Sequence, residues 1–252
     1  MTPVLVHLPH DATLIPAGAA TDFLLSPAEL ARESLRLTDA HTAALYADGC
    51  APGDFLRAPV SRLVVDVERF ADDAHEPCAR VRMGATYLRT ADGRPLRDLT
   101  PGRRAELMAA YYWPHHRALD AAATARLARF GRCVILDAHS YPTGPLPTQS
   151  AAGRSPEIGL GTEALHTSPE LSRWAGRFFG ERGFDVGVDT PFSGAMVPDL
   201  YFGRDPRVQS LMIEVRRDLY MDEASGERHG GFERMRAILT VFRRALERSA
   251  TT

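Results

Sequence analysis

The chain has 252 residues, 44% hydrophobic and 25% charged, a balance that excludes global disorder and fits one soluble domain spanning 1–252. Thirty basic against thirty-two acidic side chains leave a net charge of −2, so neither nucleic acid nor an anionic membrane is an expected partner. Every basic residue is arginine, which removes lysine chemistry, and the three cysteines (Cys50, Cys78, Cys133) have neither disulfide-framework nor zinc-finger spacing.

Val4-Leu5-Val6-His7-Leu8 reads as a buried first strand that opens at Pro9-His10-Asp11 into a polar loop. Ser26-Pro27-Ala28-Glu29 has the form of a helix start and carries a helix to Leu37. A second helix is expected from Thr38-Asp39-Ala40-His41 to Gly49, and a strand over Leu63-Val64-Val65-Asp66-Val67. Asp72 to Pro95 reads as an exposed excursion with a hairpin at Asp92-Gly93. Pro101 to Phe130 is helical, and Cys133-Val134-Ile135-Leu136-Asp137 is the clearest buried strand. Tyr141 to Gly161 reads as a long loop, and Gly159-Leu160-Gly161 within it as plain loop and not as half of a dinucleotide fingerprint. A helix from Pro169 to Gly183, short strands at Asp185–Val188 and Val208–Val215, and a closing amphipathic helix from Phe232 to Ser249 complete the chain. This alternation predicts an α/β fold with a mostly parallel sheet.

In such a sheet, reactive groups gather beyond the carboxyl ends of the strands. His10, then Asp66, Glu68 and Arg69, then Asp137 and His139, and finally Glu214 all fall at predicted strand ends. Imidazole and carboxylate are the ligand types of a catalytic zinc, and a nearby Glu outside the ligand set suits the role of base. No helical HExxH occurs, so the metal site would have to be assembled from distant segments. Two readings of Glu214 stand open, a base or a buried carboxylate paired with Arg216 or Arg217. Asp137 either orients a ligand from behind or packs. His115 and His116 read as packing or surface residues, His75 and His229 as solvated, and Cys133 as core. Without a run of about 18 apolar residues or a basic leader, a cytoplasmic location is expected.

Several segments then stand in a familiar order: Val6-His7-Leu8-Pro9-His10, Thr38-Asp39-Ala40-His41-Thr42, and Ser61 to Arg69. They are followed by Asp137-Ala138-His139-Ser140, Thr190-Pro191-Phe192-Ser193-Gly194 and Ile213 to Asp222. Over nearly the whole chain this series resembles the N-formylglutamate amidohydrolase family. The resemblance implies a phosphorylase/hydrolase-like three-layer sandwich, related to zinc exopeptidases. It also implies Zn²⁺-dependent hydrolysis of N-formyl-L-glutamate to formate and glutamate, in histidine degradation. By the same resemblance His10 and His139 are metal ligands and Glu214 is the general base. Asp39 is the expected third ligand with Asp66 in reserve, and Asp66 and Asp137 otherwise support the ligands. Arg69, assisted by Arg216 or Arg217, is expected to receive the substrate carboxylate. Glu68 stands where the family motif has Asn; an anion there would repel a glutamate carboxylate and favour another N-acyl compound. The alternatives are a zinc carboxypeptidase-like peptidase or deacylase, or a metal-free binding module.

Overall fold

In the computed structural model, which describes residues 1–146 and 155–250, six strands form one mostly parallel sheet. They are β1 (Val4–Leu8), β2 (Phe55–Arg57), β3 (Cys133–Tyr141), β4 (Ile158–Gly161), β5 (Val186–Val188) and β6 (Val208–Arg216), in the order β2-β1-β3-β6-β4-β5. The first four of that order run parallel, whereas β4 pairs antiparallel with β6 and parallel with β5. The helices are α1 (Ala17–Ala20), α2 (Pro27–Leu37), α3 (Thr42–Tyr46), α4 (Pro101–Leu107), α5 (Trp113–Phe130), α6 (Pro169–Gly180) and α7 (Gly231–Ser249).

The pleat explains the layers. Alternate side chains of β1, β3 and β6 (Val4, Val6, Leu136, Ala138, Ile213, Val215) bury on one face with Leu45 of α3, Phe179 of α6 and Phe242 of α7. On the opposite face Leu5 packs with Leu119, and Cys133 and Ile135 with Ala123, all under α5. That second face turns polar toward the carboxyl ends of the strands, where the same alternation presents His7, Asp137, His139 and Glu214. The candidate site residues of the strands therefore lie on the α5 side of the sheet, beyond its packed apolar half.

α2 starts as predicted, with a capping box in which the Ser26 side chain and Glu29 satisfy each other's backbone N–H groups. α3 is shorter than predicted, because His41 sits in the left-handed region at φ 68° and Asp39 N–H bonds the His10 carbonyl. The predicted helix 101–130 is α4, a π turn over Met108–Tyr112, and α5.

Three expectations are corrected. Leu63 to Val67 is not a strand but a buried series of turns, in which Val64 and Val65 N–H bond the Ser61 carbonyl. Its apolar side chains divide between two small clusters, and the sheet edge goes to short, largely exposed β2. Asp72 to Pro95 is not simply exposed, since Met83, Ala85 and Tyr87 are fully buried, although an Arg89–Pro95 bridge does close a turn at Asp92-Gly93. Gly159-Leu160-Gly161 belongs to β4, and the loop expected over Tyr141 to Gly161 gives up Tyr141 to β3; residues 147–154 of it lie outside the described residues. β4 needs its glycines, because a Cβ at Gly161 would overlap the Gly194 carbonyl oxygen and Met212.

Candidate metal and substrate site

A cavity of about 450 Å³ opens at the carboxyl ends of β1, β3 and β6. His10, Asp39, Glu68, Arg69, His139, Glu214 and Arg217 all line it. His10 follows β1, and His139 and Glu214 are register partners on adjacent parallel strands. Asp39 lies in the turn after α2, where its own N–H is tied to the His10 carbonyl.

Asp39 Oδ2 lies 3.0 Å from His139 Nδ1 and 3.5 Å from His10 Nδ1, and all three side chains are buried. Ligand atoms at tetrahedral corners about 2.0–2.1 Å from a zinc ion are about 3.3 Å apart, so this donor set fits a zinc-sized cation. His10 Nδ1 is buried without a hydrogen-bond partner, which supports the same assignment from the other direction. The far nitrogens point at carboxylates. His10 Nε2 bonds Asp66 Oδ1 at 2.8 Å, and His139 Nε2 lies 3.2 Å from Asp137 Oδ1 and 2.9 Å from Glu68 Oε1. Carboxylates behind ligating histidines fix ring orientation and raise basicity.

The two candidate acids separate cleanly. Asp66 is occupied on both oxygens: Arg62 donates Nε and Nη2, Tyr87 its hydroxyl, and Glu68 its backbone N–H. Asp39 instead converges with both histidine Nδ1 atoms while Arg217 Nη2 donates to its other oxygen at 3.2 Å. Burial alone would raise the Asp39 carboxyl; hydrogen bonds and charge from His10 and His139 hold it well below the usual range.

Glu214 is buried, and its Oε2 has no hydrogen-bond partner. Burial, reinforced by the Asp39 and Glu68 carboxylates against the opposing charge of His139, pushes its carboxyl up to about 8. The pairing of Glu214 with an arginine is not what the structure shows. Arg216 turns away from the cavity to Asp218 and the Ser155 carbonyl. Arg217 is spent on Ser140, Asp39 and the Arg36 carbonyl. Neither offers a free fork to substrate, and Arg216 does not reach the site. Arg69 does: its Nε is buried without a hydrogen-bond partner, 3.6 Å from Asp66. Glu68 leans toward His139.

Other residues of this region escaped the sequence reading. His7 Nδ1 bonds Asp137 at 2.8 Å and its Nε2 bonds His115 Nε2 at 2.9 Å, making a buried chain beneath His139. Neighbouring histidines and above all burial push His115 down to about 2. The π turn before α5 brings Tyr112 onto the cavity wall, where its hydroxyl donates to the Arg69 carbonyl at 2.8 Å and its ring stacks on His116. The alternation of β1 was the available signal for His7. Nothing local pointed to Arg62, Tyr87 or His115.

A family model described as N-formylglutamate amidohydrolase matches residues 2–221. An N-formylglutamate deformylase of Pseudomonas aeruginosa is 32% identical over 232 residues, covering 88% of this chain and 83% of the relative. The crystal structure of N-formylglutamate amidohydrolase from Ralstonia eutropha JMP134 shares the fold with a TM-score of 0.82 at 25% identity, over 99% of this chain and 94% of that one. A gene product of Agrobacterium tumefaciens, 20% identical, shares the fold with a TM-score of 0.65 over 99% of this chain and 90% of its own.

Proposed function

Because the chain belongs to the N-formylglutamate amidohydrolase family, we propose that it is a Zn²⁺-dependent hydrolase of small N-formyl amino acids such as N-formyl-L-glutamate. The observation that carries the metal is the convergence of His10 Nδ1, Asp39 Oδ2 and His139 Nδ1 in a buried cluster, with His10 Nδ1 unpartnered. His10, Asp39 and His139 would hold the ion, which when bound supplies Lewis acidity toward the acyl oxygen and the attacking water.

The protein's own groups do the rest. Glu214, in register with His139 and with a free oxygen, takes a proton from the attacking water and passes it to the leaving nitrogen. A carboxyl held near 8 by burial becomes a competent base at neutral pH once a cation beside it favours the ionised form. Arg69 receives the substrate carboxylate through its planar fork, which fixes the acyl group between Glu214 and the histidines. Asp66 and Asp137 hold the His10 and His139 rings from behind.

The proposal places this chemistry on one domain spanning 1–252, in the cytoplasm and in histidine degradation. No helix of the described residues is long and apolar enough to cross a membrane. The test is direct: purified protein is assayed for metal and for formate release from N-formyl-L-glutamate and related N-formyl amino acids, before and after chelation. Formate release that survives complete metal removal would overturn the mechanism.

A further inference from the structure

The buried chain beneath the candidate metal site has no part in the proposed hydrolysis, and burying it is costly. His7 and Asp137 are register partners on the adjacent parallel strands β1 and β3, and both side chains are wholly buried. His7 Nδ1 lies 2.8 Å from Asp137 Oδ1, and its Nε2 lies 2.9 Å from Nε2 of His115, a buried residue of α5. Leu5, two residues earlier on the same face of β1, packs against Leu119 of α5. A leucine at position 7 would likewise meet the packing demand without desolvating two imidazoles. What the pair adds over an apolar contact is a directed hydrogen bond on Asp137.

The order of protons follows from the groups themselves. A carboxylate can only accept, so His7 Nδ1 carries a hydrogen. In the neutral pair the bare Nε2 of His7 then accepts from His115 Nε2–H, since two nitrogens 2.9 Å apart share one hydrogen. Asp137 is the junction. Its Oδ1 receives His7 and lies 3.2 Å from His139 Nε2, while its Oδ2 accepts the Met196 N–H at 2.8 Å. Met196 belongs to the segment 191–197 that lines the cavity. An aspartate on a strand can turn between rotamers, and these two donors hold this one in the setting that faces His139.

We infer that His7 is a positioning residue of the metal site: with His115 behind it, it fixes Asp137 toward His139, and the affinity for zinc depends on that hydrogen bond. The inference rests on the zinc-hydrolase reading and adds to it a residue that bonds none of the three proposed ligands directly. Loss of the support behind a ligating histidine costs about ten- to hundredfold in metal affinity.

The experiment measures the zinc affinity of the full-length protein by chelator competition, for the native chain and two variants. In His7→Asn the amide nitrogen takes the place of Nδ1 and still donates to Asp137. In His7→Gln the amide lies at the Nε2 position, meets His115 and leaves Asp137 Oδ1 without this donor. The expected zinc dissociation constant stays within about threefold of native for His7→Asn and rises roughly ten- to hundredfold for His7→Gln. A purely structural role would instead lower the melting temperatures of the zinc-free variants without separating their zinc affinities. Equal affinities in the two variants, or the reverse order, overturn the inference and leave the zinc-hydrolase reading intact; a native chain that binds no zinc overturns both. Should either variant fail to fold, imidazole nitrogen NMR of the native protein decides. A proton on His7 Nδ1 whose resonance moves on zinc loading supports the inference, and a proton on Nε2 or a resonance indifferent to zinc ends it.

Discussion

Glu214 and His139 are neighbours only because β3 and β6 run parallel in register, and their roles separate by mutation. Glu214→Gln keeps shape and hydrogen-bonding capacity but not basicity, so metal content and melting temperature should hold while kcat falls by roughly two to four decades. A folded Glu214→Gln protein with near-native kcat would remove Glu214 from the mechanism. His139→Ala should abolish most zinc binding, measured by elemental analysis against about one zinc per native chain. Stoichiometric zinc in a His10→Ala, His139→Ala double variant would place the metal elsewhere. Beneath them, His115 makes a different, pH-dependent contribution. Its folded value of about 2 lies below the 6.5 of a free imidazole, so the unfolded chain binds a proton that the native one refuses. The sign follows: stability is fully present above pH 6.5 and is lost as pH falls toward 2. By about pH 5 the loss is of order 2 kcal/mol. His115→Gln preserves a donor toward His7 without titrating, and its urea midpoint should fall less steeply between pH 7 and pH 5. Parallel midpoint curves for native and variant protein would contradict this.

At the scale of elements, two short segments decide the site although neither is strongly patterned. β4 runs antiparallel against β6 with Gly159 opposite Glu214, and its approach leaves little room for a side chain at Gly159 and none at Gly161. Gly161→Ala would press a methyl group into the Gly194 carbonyl and Met212, and Gly194 also lines the cavity. The expected outcome is a loss of about 1–3 kcal/mol by chemical denaturation, accompanied by lower activity, as for other overpacked sites. Unchanged stability would mean that β4 relaxes freely. The Ser26–Glu29 capping box offers a contrast, since it sits at the exposed start of α2, away from the cavity. Ser26→Ala should cost about 1 kcal/mol and leave zinc affinity unchanged. A similar separation holds for the π turn over Met108–Tyr112: it costs regularity in a long helix but aims Tyr112 and His116 at the cavity wall.

At the scale of the whole molecule, the proposed metal donors come from the β1 exit, the α2 exit and β3, and their supporting carboxylates from β3 itself (Asp137) and from one further segment (Asp66). An ion that binds this assembly and not the unfolded chain stabilises it by mass action, by about 2.7 kcal/mol at a free concentration one hundred times Kd. Zinc should therefore raise the melting temperature of chelated protein, and the increase should vanish in the His139→Ala variant. A zinc-induced rise that persists in that variant would mean that the stabilising ion binds at another place.

The sequence by itself determined most element types and the mostly parallel sheet. The apolar runs Val4–Leu8 and Cys133–Asp137 became buried central strands, and His10, His139 and Glu214 stand at or near strand ends. It also determined the start of α2, where capping chemistry is local. Other features were decided only in three dimensions. Leu63 to Val67 has a strand's composition, yet its side chains found separate clusters and its backbone bonds turned inward, which no local pattern distinguishes from a sheet. Asp39 was preferred over Asp66 by resemblance alone; in the structure the partners that Arg62 and Tyr87 bring occupy Asp66 and leave Asp39 facing two imidazoles. Arg216 and Arg217 are adjacent in sequence, and the end of β6 sends one outward and buries the other against Asp39. Local sequence fixes which groups are present and the rough periodicity of the backbone. Which of those groups remain unpaired and face one another depends on contacts across tens to hundreds of residues, and those form only when the sheet closes.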